Sequence, residues 1–408
     1  MTSWPHLYLH VPFCGRRCSY CDFAIAVRRE VPVSEFIDAI MAEFVTRRIS
    51  LNAGLLRTIY FGGGTPSKLG GEGVARLLHG IRELAGVGKF STSVDALEIT
   101  IEANPEDVSA ESAAAWVAAG VNRVSLGVQS FEPAVLQWMH REHPPTRAAE
   151  AVRELRAAGV QEISADLIFS VPEALGRSWT TDLERVLELD VEHLSLYGLT
   201  VEPKTPLGRW TARGEVQEAP EERYEAEFLE AHERLGEAGY EHYEVSNYAR
   251  PGKRARHNSA YWTGASYLGI GPSAHGFDGR ERRWNLPAYA EWLREVRAGR
   301  DPVGGREVLG GQKLGGGKEL AGGHDPTLGK EPVRTAGSSR PPQTGLEPAE
   351  RIYLGLRTID GLAIRENELK KVTSWIGEGW ATLDGDRLRL TPRGWLRLDA
   401  LAAALLDA

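Results

Sequence analysis

The sequence predicts an α/β fold: an incomplete (β/α)6 barrel followed by a small C-terminal winged-helix-like α+β domain. Three observations carry that reading. Over residues 1–245, short runs rich in Val, Ile, Leu and Tyr alternate with amphipathic helical stretches, the spacing of βαβ units around a parallel sheet. These runs number six, too few for a closed eight-stranded barrel. After a Gly-rich interruption, helical patterns and one hairpin pattern end the chain.

The strand candidates cover residues 7–11, 58–61, 97–102, 123–128, 163–169 and 193–197, each bounded by Gly, Pro or polar residues. Between them, one helix is expected from Ser109 as N-cap to Gly120, and another over 146–159. A long acidic helix runs from Pro220 to Gly236 or Gly239. Residues 246–303 extend this core. Over 304–345 Gly, Pro, Lys and Ser dominate and apolar periodicity is lost, the composition of a disordered surface insertion. An accessory domain then spans 346–408, with helices over 349–357 and 362–372, a hairpin over 380–391 turning at Asp384-Gly385, and a helix over 393–406. In parallel barrels ligand chemistry gathers at the C-terminal ends of strands. The motifs below fall there.

At 408 residues the chain is long enough for two or three domains of roughly 150 residues each. Hydrophobic residues at 42% and charged residues at 25% exclude a fibrous or wholly disordered chain. The net charge of −8 argues against nucleic acid as a partner, since that role needs a basic face. No apolar run approaches the roughly 20 residues of a membrane span. Residues 1–12 lack the zones of a signal peptide. A cytoplasmic protein is expected.

The cysteines are Cys14, Cys18 and Cys21, a C-x3-C-x2-C window directly after the first strand. Such clustering marks joint chemistry. Three thiolates on one loop can hold three irons of a cubane, leaving a fourth without a thiolate. An open metal position of that kind takes a small molecule, as in catalytic zinc sites. The alternatives are a zinc site completed by His6 or His10, for which no second ligand pair exists, and thiols that bind no metal.

This spacing resembles that of the radical S-adenosylmethionine (SAM) superfamily. The resemblance continues through Tyr-Phe-Gly-Gly-Gly-Thr-Pro-Ser at 60–67, Glu-Ala-Asn-Pro-Glu at 102–106 and Ser-Leu-Gly-Val-Gln-Ser at 125–130. It extends to Asp-Leu-Ile-Phe-Ser-Val-Pro at 166–172 and His-Asn-Ser-Ala-Tyr-Trp at 257–262. In this order the motifs are similar to the oxygen-independent coproporphyrinogen III oxidase-like family, and within it to the heme chaperone branch. The resemblance implies a [4Fe–4S] cluster on Cys14, Cys18 and Cys21. It implies SAM bound at the open iron through its amino and carboxylate groups, and reductive cleavage by an external electron donor. It also implies heme as cargo and an acceptor protein, not identifiable from sequence, that receives it.

SAM needs a pocket of mixed chemistry. Gly63, Gly64 and Thr65 follow a strand where glycine lets backbone approach a ligand, and they resemble the family's motif near the SAM amino group. Glu102 can accept hydrogen bonds from ribose hydroxyls or an ammonium. Asp166 lies in an apolar strand, where a carboxylate is costly unless paired. Gln129 and Arg141 match SAM-contact positions of the family, and Arg suits a carboxylate. Tyr8 and Tyr20 flank the cysteine loop at matching positions. His257, Tyr261 and Trp262 match the branch's H-N-x-x-Y-W motif. They offer an axial nitrogen and aromatic cover for heme, or alternatively a hydrogen bond that fixes the local fold.

Three features favour the chaperone over the oxidase. Oxidases of the family carry a further cysteine two residues after the third, where this chain has Phe23. They carry a long N-terminal extension ahead of the cluster, for which Cys14 leaves no room. The H-N-x-x-Y-W stretch belongs to the chaperone branch. The competing readings are decarboxylation of coproporphyrinogen III and a radical enzyme acting on another substrate.

Overall fold

The computed structural model of the protein describes residues 4–86, 97–308 and 348–406. Six parallel strands form in the predicted places: β1 (His6–Val11), β2 (Thr58–Gly63), β3 (Glu98–Ala103), β4 (Arg123–Gln129), β5 (Glu162–Phe169) and β6 (His193–Gly198). They lie side by side in chain order. Their interiors are almost continuously buried, as expected of strands covered on both faces.

The sheet does not stop there. Residues after 240 add β7 (Glu241–Glu244), β8 (Asn247–Ala249), β9 (Tyr267–Ile270), β10 (His275–Phe277), β11 (Glu281–Asn285) and β12 (Val303–Val308). β8 pairs antiparallel with β6, and β7 with β8. On the other side β9 docks parallel to β1, and β10, β11 and β12 continue antiparallel. The result is one twelve-stranded sheet. Of the expected insertion, residues 304–308 belong to edge strand β12 and are ordered, and 309–345 lie outside the described residues.

Helices cover the outside: α1 (Val33–Thr46), α2 (Gly70–Leu84), α3 (Ala110–Ala119), α4 (Pro133–Trp138), α5 (Thr146–Ala158), α6 (Trp179–Glu188), α7 (Pro206–Ala212) and α8 (Glu221–Glu237). Their punctuation is the predicted one. The Ser109 hydroxyl accepts from the Ser112 N–H in a capping box, and Gly120 and Gly159 end α3 and α5 in the left-handed conformation. α9 (Arg256–Tyr261) and α10 (Tyr289–Arg297) follow.

The accessory domain contains α11 (Pro348–Arg357), β13 (Leu362–Ala363), α12 (Leu369–Gly377), β14 (Ala381–Asp384), β15 (Arg387–Leu390) and α13 (Leu398–Leu406). Its three strands pair antiparallel in the order β13-β15-β14, a winged-helix-like arrangement. The helix expected over 393–406 is broken into Pro392–Trp395 and Leu398–Leu406, and two further expectations shift. The stretch 362–372 opens as a strand because Leu362 pairs with Leu388 of β15, a non-local partner that helical periodicity cannot report. The hairpin turns at Gly385-Asp386, one residue later than expected, since Asp384 and Arg387 face each other in the ladder.

Candidate functional site

The cysteine loop leaves the C-terminal end of β1 and is closed at its base by a short parallel bridge, Phe13–Cys14 against Ala26–Val27. The Arg28 N–H donates to the Cys14 carbonyl (2.9 Å), the Ser19 N–H to Met139 O (3.3 Å), and the Leu207 N–H to Ser19 O (2.8 Å). The loop is therefore tied to the segment after α4 and to the start of α7.

All three cysteines line one cavity at the C-terminal strand ends. Tyr20, Gly63, Gly64, Thr65, Glu102, Gln129, Arg141 and Asp166 line it too. Burial pushes the thiols up, Cys14 to about 11 and Cys21 to about 12, so a bound cation is needed to hold them as thiolates. No three His, Cys, Asp or Glu side chains among the described residues converge on one ion. A cubane asks for something wider, because each thiolate takes a different iron. The sulfurs also have donors: the Thr65 hydroxyl at 3.4 Å from Cys14 Sγ and Arg141 Nη1 at 3.9 Å from Cys18 Sγ. Hydrogen bonds to sulfur tune such clusters.

Each remaining side chain is held by the sheet. Arg141 Nη2 donates to Asn104 Oδ1 (2.6 Å) and the Gly127 carbonyl (2.8 Å), while its buried Nε has no protein partner. A register shift between Gly127 and Gln129, with Gln129 at φ 68°, marks a bulge where Gln129 joins the cavity lining. Glu102 accepts from Tyr60 OH (2.8 Å) and the Gly63 N–H (3.0 Å). Asp166 accepts from the Ser125 and Ser164 hydroxyls, yet burial pushes it up to about 6. At Gly64 a Cβ would lie 2.8 Å from the Pro12 backbone. The glycine is thus required for β2 to pass the root of the cysteine loop.

Four predicted residues lie elsewhere. Tyr8 is buried inside the barrel, hydrogen-bonded to His10 Nδ1 (3.1 Å) and stacked on Tyr60. His257, Tyr261 and Trp262 sit at the opposite, N-terminal end of the strands. The first N–H groups of α9, on Arg256 and His257, donate to the Glu98 carboxylate at the start of β3. The His257 ring bonds Thr58 Oγ1 (2.6 Å) through Nδ1 and Tyr261 OH (3.0 Å) through Nε2. His257 is 1% exposed and Trp262 2%. One side chain separates this cluster from the cavity: Tyr60 stacks on the His257 ring with centroids 4.9 Å apart and donates to Glu102 of the lining. Both His257 ring nitrogens are hydrogen-bonded here, the arrangement of the alternative in which the motif fixes the local fold. The histidines of the zinc alternative are also hydrogen-bonded, His6 to Thr58 at that same end and His10 Nε2 to the Ala24 carbonyl.

Sequence reasoning missed Asn104, Ser125, Tyr197 and His140 in the lining. Ser125 shares a strand face with Gly127 by the period of two, and Tyr197 falls at a C-terminal strand end. Both signals were present in the sequence.

Comparison with known proteins agrees with this geometry. The profile of the Radical SAM superfamily matches residues 8–175. The heme chaperone HemW of Mycobacterium tuberculosis is 36% identical over 98% of this chain and 94% of its own length. The heme chaperone HemW of Escherichia coli is 37% identical over 66% of this chain and 69% of its own. The mouse protein named radical S-adenosyl methionine domain-containing protein 1, mitochondrial, is 36% identical over 71% and 66%. Among solved structures, the coproporphyrinogen III oxidase HemN of Escherichia coli, a radical SAM enzyme, superposes with a TM-score of 0.72 at 20% identity. That match covers 99% of this chain and 90% of the other.

Proposed function

The chain belongs to the heme chaperone HemW family of the radical SAM superfamily, and from that premise we propose that it binds heme and passes it to an acceptor protein. The carrying observation is the 36% identity to a heme chaperone across 98% of the chain; the oxidase likeness, at 20% identity, is one of fold. In the cavity wall Phe23 stands where oxidases of the family carry a further cysteine.

In this reading Cys14, Cys18 and Cys21 hold a [4Fe–4S] cluster. When bound, the cluster supplies an open iron for the amino and carboxylate groups of SAM and a route for one electron from an external donor. Thr65 and Arg141 donate to the cysteine sulfurs. Arg141 also lines the cavity, where its positive charge suits the SAM carboxylate. Asp166 and Gln129 offer polar contacts to the rest of the nucleotide, and Glu102 fixes the Gly63 amide that borders it. No helix among the described residues is long and apolar enough to cross a membrane.

The test is anaerobic reconstitution followed by hemin titration and a coproporphyrinogen III assay on one sample. We expect close to four irons and four sulfides per chain, hemin binding, and no protoporphyrinogen IX. Robust turnover with SAM and reductant would overturn the chaperone reading in favour of the oxidase.

A further inference from the structure

His140 is placed at the cavity by a helix end. After α4, the His140 N–H bonds Gln137 O (3.0 Å) and the Arg141 N–H bonds Leu136 O (2.8 Å), a Schellman motif with His140 in the left-handed position at φ 61°. Glycine is the favoured residue there, and α3, α5 and α8 are followed by Gly120, Gly159 and Gly239 at positive φ. At position 140 the chain instead holds an imidazole in the cavity lining, beside Arg141.

The chemistry around that imidazole is specific. His10, His143, His193 and His257 each commit both ring nitrogens to hydrogen bonds. Among the described residues, neither nitrogen of the half-exposed His140 has such a partner. Its ring meets Trp210 edge-on, with centroids 5.8 Å apart, and Trp210 lies 6.2 Å from Trp138. Both indoles are half-exposed. Ile168 and Leu199 add apolar wall, and the exposed Arg16 adds a cation. An axial nitrogen, flat apolar borders and a cation answer the three parts of a metalloporphyrin: iron, macrocycle and carboxylates.

We propose that His140 is the axial ligand to the iron of a metalloporphyrin bound at the mouth of the cavity. Trp138 and Trp210 border the macrocycle and Arg16 serves its carboxylates. This rests on the heme-binding reading above and places the ligand at the end of the barrel opposite His257. Cargo and cluster then share one cavity.

The experiment titrates hemin into cluster-reconstituted protein, wild type, His140→Gly and His257→Gln. Glycine suits the left-handed backbone, so His140→Gly should fold and keep its iron and sulfide. Its Soret band should shift and its hemin affinity fall tenfold or more, and added free imidazole should restore the band. Metal-free protoporphyrin IX, which forms no axial bond, should bind wild type and His140→Gly alike. His257→Gln should keep the wild-type band. A wild-type Soret band and affinity in His140→Gly would overturn the ligand assignment and leave the heme reading standing. Failure of the wild-type protein to bind hemin would overturn both.

Discussion

Asp166 shows how a single side chain reports a site. It was legible in the sequence because a carboxylate in an apolar strand needs a partner, and three serine hydroxyls do not fully compensate its burial, which holds its pKa at about 6. An ordinary Asp titrates near 3.9. Between these values the folded state binds a proton that the unfolded chain has lost, so stability falls as pH rises from about 4 to about 6 and stays lower above it. Allowing for water in the open cavity, the cost is roughly 1–2 kcal/mol. Asp166→Asn should therefore be more stable than wild type at pH 7.5, with the gap closing toward pH 4.5, in urea unfolding followed at both values. A gap that does not change with pH would mean the carboxyl is not strained. The same variant should bind SAM more weakly. Arg141, by contrast, is an ordinary arginine by composition. Only its resemblance to a family position marked it, because the Schellman turn and the Gly127 gap that admit it are features of three dimensions.

The elements were legible where local rules decide them. Six parallel strands, the Ser109 cap and the glycine stops of α3 and α5 follow from β-rich runs and capping chemistry. What local rules cannot give is pairing. β9 is four residues long, and nothing in its sequence says that it docks parallel to β1, some 260 positions earlier in the chain. The same limit bears on α9. Nothing in His-Asn-Ser-Ala-Tyr-Trp says that Glu98 and Thr58 receive it at the N-terminal end of the strands. That position has a consequence for stability. His257→Ala would remove one hydrogen bond each from the Thr58 hydroxyl and the Tyr261 phenol and open a void. The expected cost is about 2–4 kcal/mol, seen as a lower thermal midpoint with iron and sulfide content unchanged. Loss of cluster with unchanged stability would mean that α9 acts on the cavity after all.

At the scale of the whole molecule, the chain around α9 connects the barrel to the accessory domain. Arg357, the last residue of α11, donates from Nε to Glu244 Oε2 (2.9 Å) and lays its guanidinium 4.3 Å from the centre of the Trp262 ring. Trp395 meets His242 edge-on at 4.5 Å and donates to the Leu356 carbonyl. The winged-helix-like domain thus grips β7 and the residue that follows α9, which makes the H-N-x-x-Y-W motif a coupling element between two units. Arg357 and Glu244 are 8% and 0% exposed at their side chains. Removing one partner of a buried ion pair strands the other, at a typical cost of about 3–5 kcal/mol, whereas replacing both is often nearly neutral. Here the Ser246 N–H and Asn247 Nδ2 also donate to Glu244, so Arg357→Ala should fall at the low end of that range. Calorimetry should then resolve two unfolding transitions where wild type shows one, the accessory domain melting first. The double variant Arg357→Met with Glu244→Gln should recover most of the loss and restore a single transition. If Arg357→Ala still melts as one unit at the wild-type midpoint, the coupling lies in the apolar contacts of Trp395 and not in the ion pair.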